Sequence, residues 1–337
     1  MKKLAIGLSL IILSGCALWQ LLPTKNRIHI GFYNVENLFD TIDNPHTRDN
    51  EFTPSGKKAW TIERMNDKIA KLDQVMSQAT PDGVPDLLGV CEVENSAVCM
   101  AWSKYGCLKN HVLVHRESPD HRGIDVALFY NPQKLKLINT QWYQLVQDGQ
   151  KSSSTREILY ASFGITKDTI HVLVNHWPSR YGGEEKSRPK RIKAAQLAKS
   201  ISDSVFHQHP SAKLILMGDF NDYPDNQSLV DYLQADTLPG MPNKLYNMSY
   251  EADKSGLGSY NYRNNWGCLD QFIVSKTLLK PTRQKVQVIN DSYTIVKKEF
   301  MLYTNKKGIT YPSRTYGGPN YYGGYSDHLP VYITLQY

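Results

Sequence analysis

Titratable and amide side chains break into this chain at a few places, each beside an apolar run. Asn34 and Glu36 follow RIHIGFYNV, Glu92 ends DLLGVC, and Asn175 and His176 close IHVLVNH. Asp219 and Asn221 close LILMGDFN, Asp270 opens DQFIVS, and Asp327 and His328 precede LPVYITLQ. One carboxylate or imidazole at a strand end is ordinarily a cap or a turn former. Six such places together require the strand ends to gather at one rim, where their polar groups line a cleft.

The chemistry that this set suits is hydrolysis of a phosphate ester. Carboxylate and amide oxygens from Asn34, Glu92 and Asp327 fit a hard cation such as Mg²⁺, which takes only one or two carboxylates and keeps several waters. Mn²⁺ or Ca²⁺ would be accepted by the same donors. No Cys or His cluster has zinc spacing. A bound cation would polarise a phosphoryl oxygen, and the imidazoles of His176 and His328 could stabilise pentacoordinate phosphorus or carry protons. A carboxylate beside each imidazole would hold its tautomer and favour its charged form.

The elements that must position these residues alternate between strands and helices. Apolar, β-branched and aromatic runs predict strands over Arg27–Val35, Asp86–Val93, Ile124–Tyr130, Glu157–Ile165, Thr169–Trp177, Lys213–Phe220, Leu269–Ser275 and Leu329–Gln336. Ile62, Met65, Ile69, Leu72 and Met76 recur at helical spacing and predict an amphipathic helix. Further helices are expected over Pro189–Val205 and Asn226–Leu233. No linker or repeat divides residues 29–337, so one domain is expected. A chain of 337 residues that is 41% hydrophobic can bury a large core, which excludes a disordered chain.

The N-terminus reads as an export signal. MKKLAIGLSLIILSGC has two lysines, an apolar run from Leu4 to Leu13, and Ser14-Gly15 before Cys16, in the manner of a bacterial lipobox. That run is too short to cross a bilayer core of about 30 Å. Residues 1–16 are therefore expected to be a lipoprotein signal with Cys16 as the lipid-bearing residue, and 17–28 a tether. The protein is expected to be exported and anchored to a membrane of the cell envelope. Losing Lys2 and Lys3 lowers the net charge from +7 to +5, a weak pointer to an acidic partner. Of the other cysteines, Cys91 reads as a buried thiol, and a Cys99–Cys107 bridge is open to an exported protein.

Seven segments in order resemble the endonuclease/exonuclease/phosphatase superfamily, whose fold is that of DNase I. They are NVENLFD (Asn34–Asp40), CEVEN (Cys91–Asn95), RGIDVALFY (Arg122–Tyr130), VNHWPSR (Val174–Arg180), MGDFND (Met217–Asp222), YNYRNNWGCLDQFIVS (Tyr260–Ser275) and SDHLPV (Ser326–Val331). The resemblance spans nearly the whole chain after the signal. It implies an α/β, four-layer αββα sandwich of two mixed sheets face to face, helices outside, and the site at one end of the sheets. It implies Glu92 as principal metal ligand, helped by Asn34 and Asp327. Asp219 and Asn221 would orient the attacking water and the phosphate, and His176 would bind or protonate the scissile phosphate. Asp270 and His328 would pair as oriented carboxylate and imidazole. Glu36, Arg122 and Asn175 lie in the same motifs as additional candidates. The chain departs from the family at Cys91, where Gln is usual, and at Gln271, where His or Tyr often stands.

The resemblance implies a metal-dependent phosphoesterase, expected as a monomer, and intact Glu92, His176, Asp219, Asp270 and His328 argue against a purely binding module. An exported nuclease, specifically an endonuclease, acting on DNA or RNA is the leading expectation. A phosphodiesterase or phosphatase for a lipid head group, inositol phosphate or sugar phosphate is the alternative. Arg180, Lys186, Arg188, Lys190 and Arg191 offer phosphate contacts or a solvated helix start. The tyrosine-glycine segment Tyr311–Tyr325 offers a base-stacking surface or a cover over the sheet edge.

Cys16→Ser should leave the precursor uncut and free of radiolabelled fatty acid, whereas the unaltered protein takes up label. Equal labelling of both would overturn the lipobox reading.

Overall fold

The structure, a computed structural model, describes residues 27–104, 106–146, 155–280 and 285–337. The lipobox, Cys16 and tether residues 17–26 lie outside the described residues. Among the described residues no helix is long and apolar enough to cross a membrane.

Two seven-stranded mixed sheets form the body. The first contains β1 (Arg27–Leu38), β2 (Leu87–Val93), β3 (Val112–His115), β4 (Asp125–Tyr130), β14 (Gln287–Val288), β15 (Thr294–Ile295) and β20 (Val331–Gln336). Its order is β14-β20-β1-β2-β4-β3, with β15 also on β20. The second contains β5 (Lys136–Tyr143), β6 (Ile158–Ile165), β7 (Asp168–His176), β8 (Lys213–Asp219), β9 (Ala235–Asp236), β10 (Leu245–Asn247) and β13 (Asp270–Ser275), in the order β5-β6-β7-β8-β13-β10-β9. Short hairpins join β11 (Tyr260–Tyr262) to β12 (Asn265–Gly267), β16 (Leu302–Thr304) to β17 (Thr310–Pro312), and β18 (Tyr316–Gly317) to β19 (Asn320–Tyr321).

Alternation along each strand builds the layers. In β1, Ile28, Ile30 and Phe32 face the second sheet and pack with Val172, Val174, Ile215, Met217 and Phe272. Tyr33 and Val35 pack with helices α1 (Ile62–Met76) and α2 (Ser96–Ser103). On the far side, Leu173, Leu214, Leu216 and Ile273 pack beneath α3 (Glu184–Gln208). Three apolar layers thus separate four layers of structure, the expected sandwich. Each fully buried aliphatic or aromatic side chain contributes roughly 1.5–3 kcal/mol, so a strand buried on both faces reads as a nearly continuous apolar run.

All eight predicted strands are present, with small shifts at their ends. The weakly apolar edge strands β3 and β5 had no clear signature. In α1 the buried face is Met65, Lys68, Leu72, Val75 and Met76, while the expected Ile62 is half exposed. α3 begins five residues before Pro189, because Gly182 and Gly183 at positive φ end the preceding loop and Ser187 bonds back to the Gly183 carbonyl. The expected helix at Asn226–Leu233 is a single π-helical turn, Ser228–Tyr232. Cys91, Cys99, Cys107 and Cys268 are free, so the Cys99–Cys107 bridge is not formed; Cys107 instead donates to the Asp73 carbonyl.

Strand direction gathers the site. β1 and β2 are parallel, as are β7 and β8, so Asn34, Glu92, His176 and Asp219 all stand at C-terminal ends. β20 is antiparallel to β1 and β13 to β8, so Asp270 begins β13, and Asp327 and His328 precede β20, at that same rim. Close approach of β7 and β8 there leaves no room for a side chain at Gly218, where a Cβ would lie 2.3 Å from the Asn175 carbonyl oxygen. Gly218→Ala should destabilise the fold by about 1–3 kcal/mol, the usual cost of overpacking, read as a lower urea midpoint at unchanged m-value.

Candidate active site

Glu92 stands on a bulge. Cys91 pairs with Val126 and Val93 with Asp125, so Glu92 is the extra residue between them, and its φ is +62°. Such a left-handed bulge swings a side chain out of the ladder. β1 breaks its pairing opposite, where Glu36 and Asn37 are also left-handed. The Asn37 amide donates to Glu92 Oε2 at 3.0 Å, and Glu92 Oε1 lies 3.8 Å from His176 Nε2.

Asp219 is the centre of the cluster. Its Oδ2 accepts Asn34 Nδ2 at 3.0 Å and lies 3.9 Å from His176 Nε2 and 3.8 Å from His328 Nε2. Its Oδ1 accepts the amide of Asn221, another left-handed residue, whose Nδ2 donates to the Trp177 carbonyl. His328 Nδ1 donates to Asp270 Oδ2 at 2.6 Å, and Ser259 Oγ donates to that same oxygen. Asp219, Asp270 and His328 form one of the described residue groups able to surround an ion.

The electrostatics divide the two histidines. Burial opposes charge on His328, yet Asp270 and Asp219 outweigh it and lift its pKa well above the ordinary value. Burial, with Arg156, Arg122 and His328 nearby, drives the His176 pKa well below it. These directions favour the imidazolium form at His328 and the neutral imidazole at His176. Burial pushes the Asp219 carboxyl up to about 7, opposed by His328 and aided by Asp270. A carboxylate so short of positive charge suits a cation. The donors Glu92, Asn34 and Asp327 are all oxygens, as a hard ion prefers.

The remaining candidates divide between cleft and scaffold. Asp327 lines the cleft and is held by Arg314 at 2.7 Å. Arg122 lines it too, donating to Asn37 Oδ1. Glu36 is spent on the backbone amides of Thr315 and Tyr316. Asn175 is fully buried, and its amide bonds Leu173, Met217 and Trp177, so it braces the sheets outside the cleft.

The cleft holds about 710 Å³, and its outer wall carries Tyr181, Tyr223, Tyr260 and Tyr262. The Tyr260 ring lies 4.7 Å from that of His328. The tyrosines of Tyr311–Tyr325 are not among the cleft lining; Tyr316 and Tyr321 pack on the α1 side of the first sheet, so that segment is a cover. The arginines of the basic segment are paired within the protein, whereas Lys186 and Lys190 are exposed. Arg191 Nε and Arg180 Nη2 both meet buried Asp222, at 2.7 and 2.9 Å, and Arg180 and Arg188 both approach Glu184.

Sequence reasoning missed Arg314, Ser259, the tyrosine wall and buried Lys68. Only Lys68 had a local signal: it follows Met65 by three and precedes Leu72 by four, in the apolar stripe of α1.

The profile of the Endonuclease/Exonuclease/phosphatase family matches residues 29–337. The chain belongs to the endonuclease/exonuclease/phosphatase family. Among solved structures it is similar to humanized D. rerio TDP2, at 14% identity and TM-score 0.56, over 92% of this chain and 99% of that one. The mannosyl-6-phosphatase Bt3783 of Bacteroides thetaiotaomicron gives 14% and 0.56 over 92% and 100%. The human Nocturnin catalytic domain with bound sulfate gives 13% and 0.52 over 92% and 94%. No curated protein sequence matches. At such identities these likenesses establish the DNase I-like fold, and family membership establishes a phosphoester hydrolase.

Asp270→Asn should return the His328 pKa toward its ordinary value. A raised folded-state pKa contributes stability that is complete below the unfolded value near 6.5 and is lost as pH climbs through the folded value. The unaltered protein should therefore keep this contribution through neutral pH, and the variant should not. NMR titration of His328 in both proteins checks it; identical curves would remove Asp270 as the cause.

Proposed function

We propose that the protein is a divalent-metal-dependent phosphodiesterase acting on a single-stranded nucleic acid. The observation that carries the reading is the facing of charged His328 and neutral His176 across Asp219, with Glu92 beside them. Mg²⁺ held by Glu92, Asn34 and Asp327 would supply Lewis-acid stabilisation of the phosphoryl oxygens. His328, fixed by Asp270, sets a positive charge against the phosphate. Neutral His176 accepts or passes a proton, and Asp219 with Asn221 orients the attacking water.

Tyr181 and Tyr262, exposed at the cleft in front of half-buried Tyr223 and Tyr260, favour a single strand over a duplex, since exposed rings stack on bases that have left a helix. The internally neutralised arginines are poorly placed for duplex phosphates. A neighbour of this fold, D. rerio TDP2, is solved with a single-strand DNA product. A second reading, a sugar phosphate, is favoured by the compact cleft, whose tyrosines could equally face a sugar ring. We place the enzyme outside the cell's inner membrane, anchored through Cys16.

The test is a panel of single-stranded DNA, duplex DNA, RNA, mannose 6-phosphate and inositol phosphates, with Mg²⁺ and with chelator. Single strands should be cut in preference to duplex, and only with metal; sugar phosphate alone as substrate would install the second reading. His176→Ala and His328→Ala should each lower turnover by roughly 10²–10⁴. A variant near the original rate removes that residue from the mechanism.

A further inference from the structure

The hairpin β11–β12 leads out of the cleft. Tyr260 and Tyr262, both on β11, line the cleft. A Tyr260–His328 bridge, and the Leu329 amide on the Ser259 carbonyl at 2.7 Å, fix the strand to the loop that carries His328. Beyond Tyr262 the chain turns through Arg263 and Asn264, both left-handed, and the Arg263 guanidinium lies 5.1 Å from the Tyr262 ring. Asn261 knits this hairpin to the next. Its Oδ1 accepts the Asn264 amide at 3.0 Å, and its Nδ2 donates to the Thr310 carbonyl of β17 at 3.2 Å.

Thr310 pairs with Thr304 on the last rung before the turn that joins β16 to β17. Asn305 orders that turn, its Oδ1 accepting the amides of Lys307 and Ile309 at 2.9 and 3.1 Å. Lys306 and Lys307 therefore stand exposed on a fixed tip next to the rung that Asn261 grips. Lys297, also exposed, has its Nζ 4.0 Å from the ring of Trp266, the residue paired with Asn261. Residues 260–267 and 294–311 together hold five basic side chains, Arg263, Lys297, Lys298, Lys306 and Lys307, against the single acid Glu299. Among the described residues none of the five pairs with a carboxylate. The arginines after His176, by contrast, find Asp222 and Glu184.

We infer that the two hairpins form a track for the phosphates of a nucleic acid strand that continues out of the cleft, so that affinity grows with the length of strand lying beyond it. This rests on the single-strand reading above. Unpaired surface cations are the groups that neutralise backbone phosphates. Tyr262 and Tyr303, both more than half exposed, set ring faces among them, the combination that suits an unstacked strand. Continuity with the cleft through β11 favours the strand over an anionic membrane surface.

The experiment measures binding of fluorescein-labelled oligo(dT) to the full chain by anisotropy, in chelator so that nothing is cut, across a salt titration. A strand of about 20 nucleotides should bind about tenfold or more tighter than one of about 4, which the cleft alone can hold. In Lys297→Gln/Lys306→Gln/Lys307→Gln the long strand should lose about tenfold in affinity. The slope of log affinity against log salt should also fall by about 2, since each phosphate contact on a single strand contributes about 0.7. Arginine at the same three positions should restore both, and circular dichroism checks the fold of each variant. Unchanged affinity and slope in the folded glutamine variant would overturn the inference, as would equal binding of the two strands by the unaltered protein. Loss of binding to phosphatidylglycerol vesicles with strand binding intact would assign the cations to a membrane surface and overturn it too. Cleavage is scored separately with Mg²⁺: length-dependent binding with no strand cut would sink the nuclease reading and leave the track standing.

Discussion

Five carboxylates gathered at one end of an apolar sandwich are the constraint around which the rest of the molecule is arranged. Each would be expensive to keep ionised there without a counter-charge or donated hydrogen bonds, and every neighbouring element supplies one or the other. The loop before β20 supplies His328 to Asp270, α1 sends Lys68 up from below, and the cover between β17 and β20 contributes Arg314 and the amides of Thr315 and Tyr316. Asn34 and Asn37 give the remaining donors, to Asp219 and Glu92. Carboxyl pKa values near 7 at Asp219 and Glu36 show that this compensation is incomplete. That remainder would favour a bound cation.

The local backbone is shaped to the same end. Glu36, Asn37, Glu92 and Asn221 all adopt left-handed conformations that non-glycine residues seldom take. They cluster where strands end and side chains must leave the ladder, and the surrounding sheets over-determine them. The strain is local and the scaffold is stiff. Gly218 lets β8 approach β7 closely enough to hold His176 and Asp219 at one level.

Tertiary context also redirects residues whose types suggested another use. Arg180 and Arg191 look like phosphate contacts as members of a basic run, yet both turn inward to Asp222, a residue more than thirty positions away. Arg180 further donates to the Asn221 carbonyl and stacks over Tyr223, so it stiffens the wall beside the cleft. The tyrosines of Tyr311–Tyr325 cover the α1 side of the first sheet, and the rings at the cleft come from α3's leading loop, the turn after β8, and β11.

What the sequence by itself determined was the set of buried strands and the polar residues that end them. Both are local properties: a strand buried on two faces must be apolar throughout, and a carboxylate at its end stands out against that background. Ordered motifs then identified the family, and with it the four layers. Edge strands β3 and β5 had no such contrast, because solvent on one side relaxes the choice of residue. Which residues serve the cleft and which serve the scaffold was decided only by the tertiary structure. Glu36 and Glu92 are both acids near the end of a strand, yet one caps the amides of Thr315 and Tyr316 and the other stands on a bulge, held by the Asn37 amide and turned toward His176. Their difference lies in partners some 280 and 55 positions away in sequence. Charge pairing acts through space, so no window along the chain contains it.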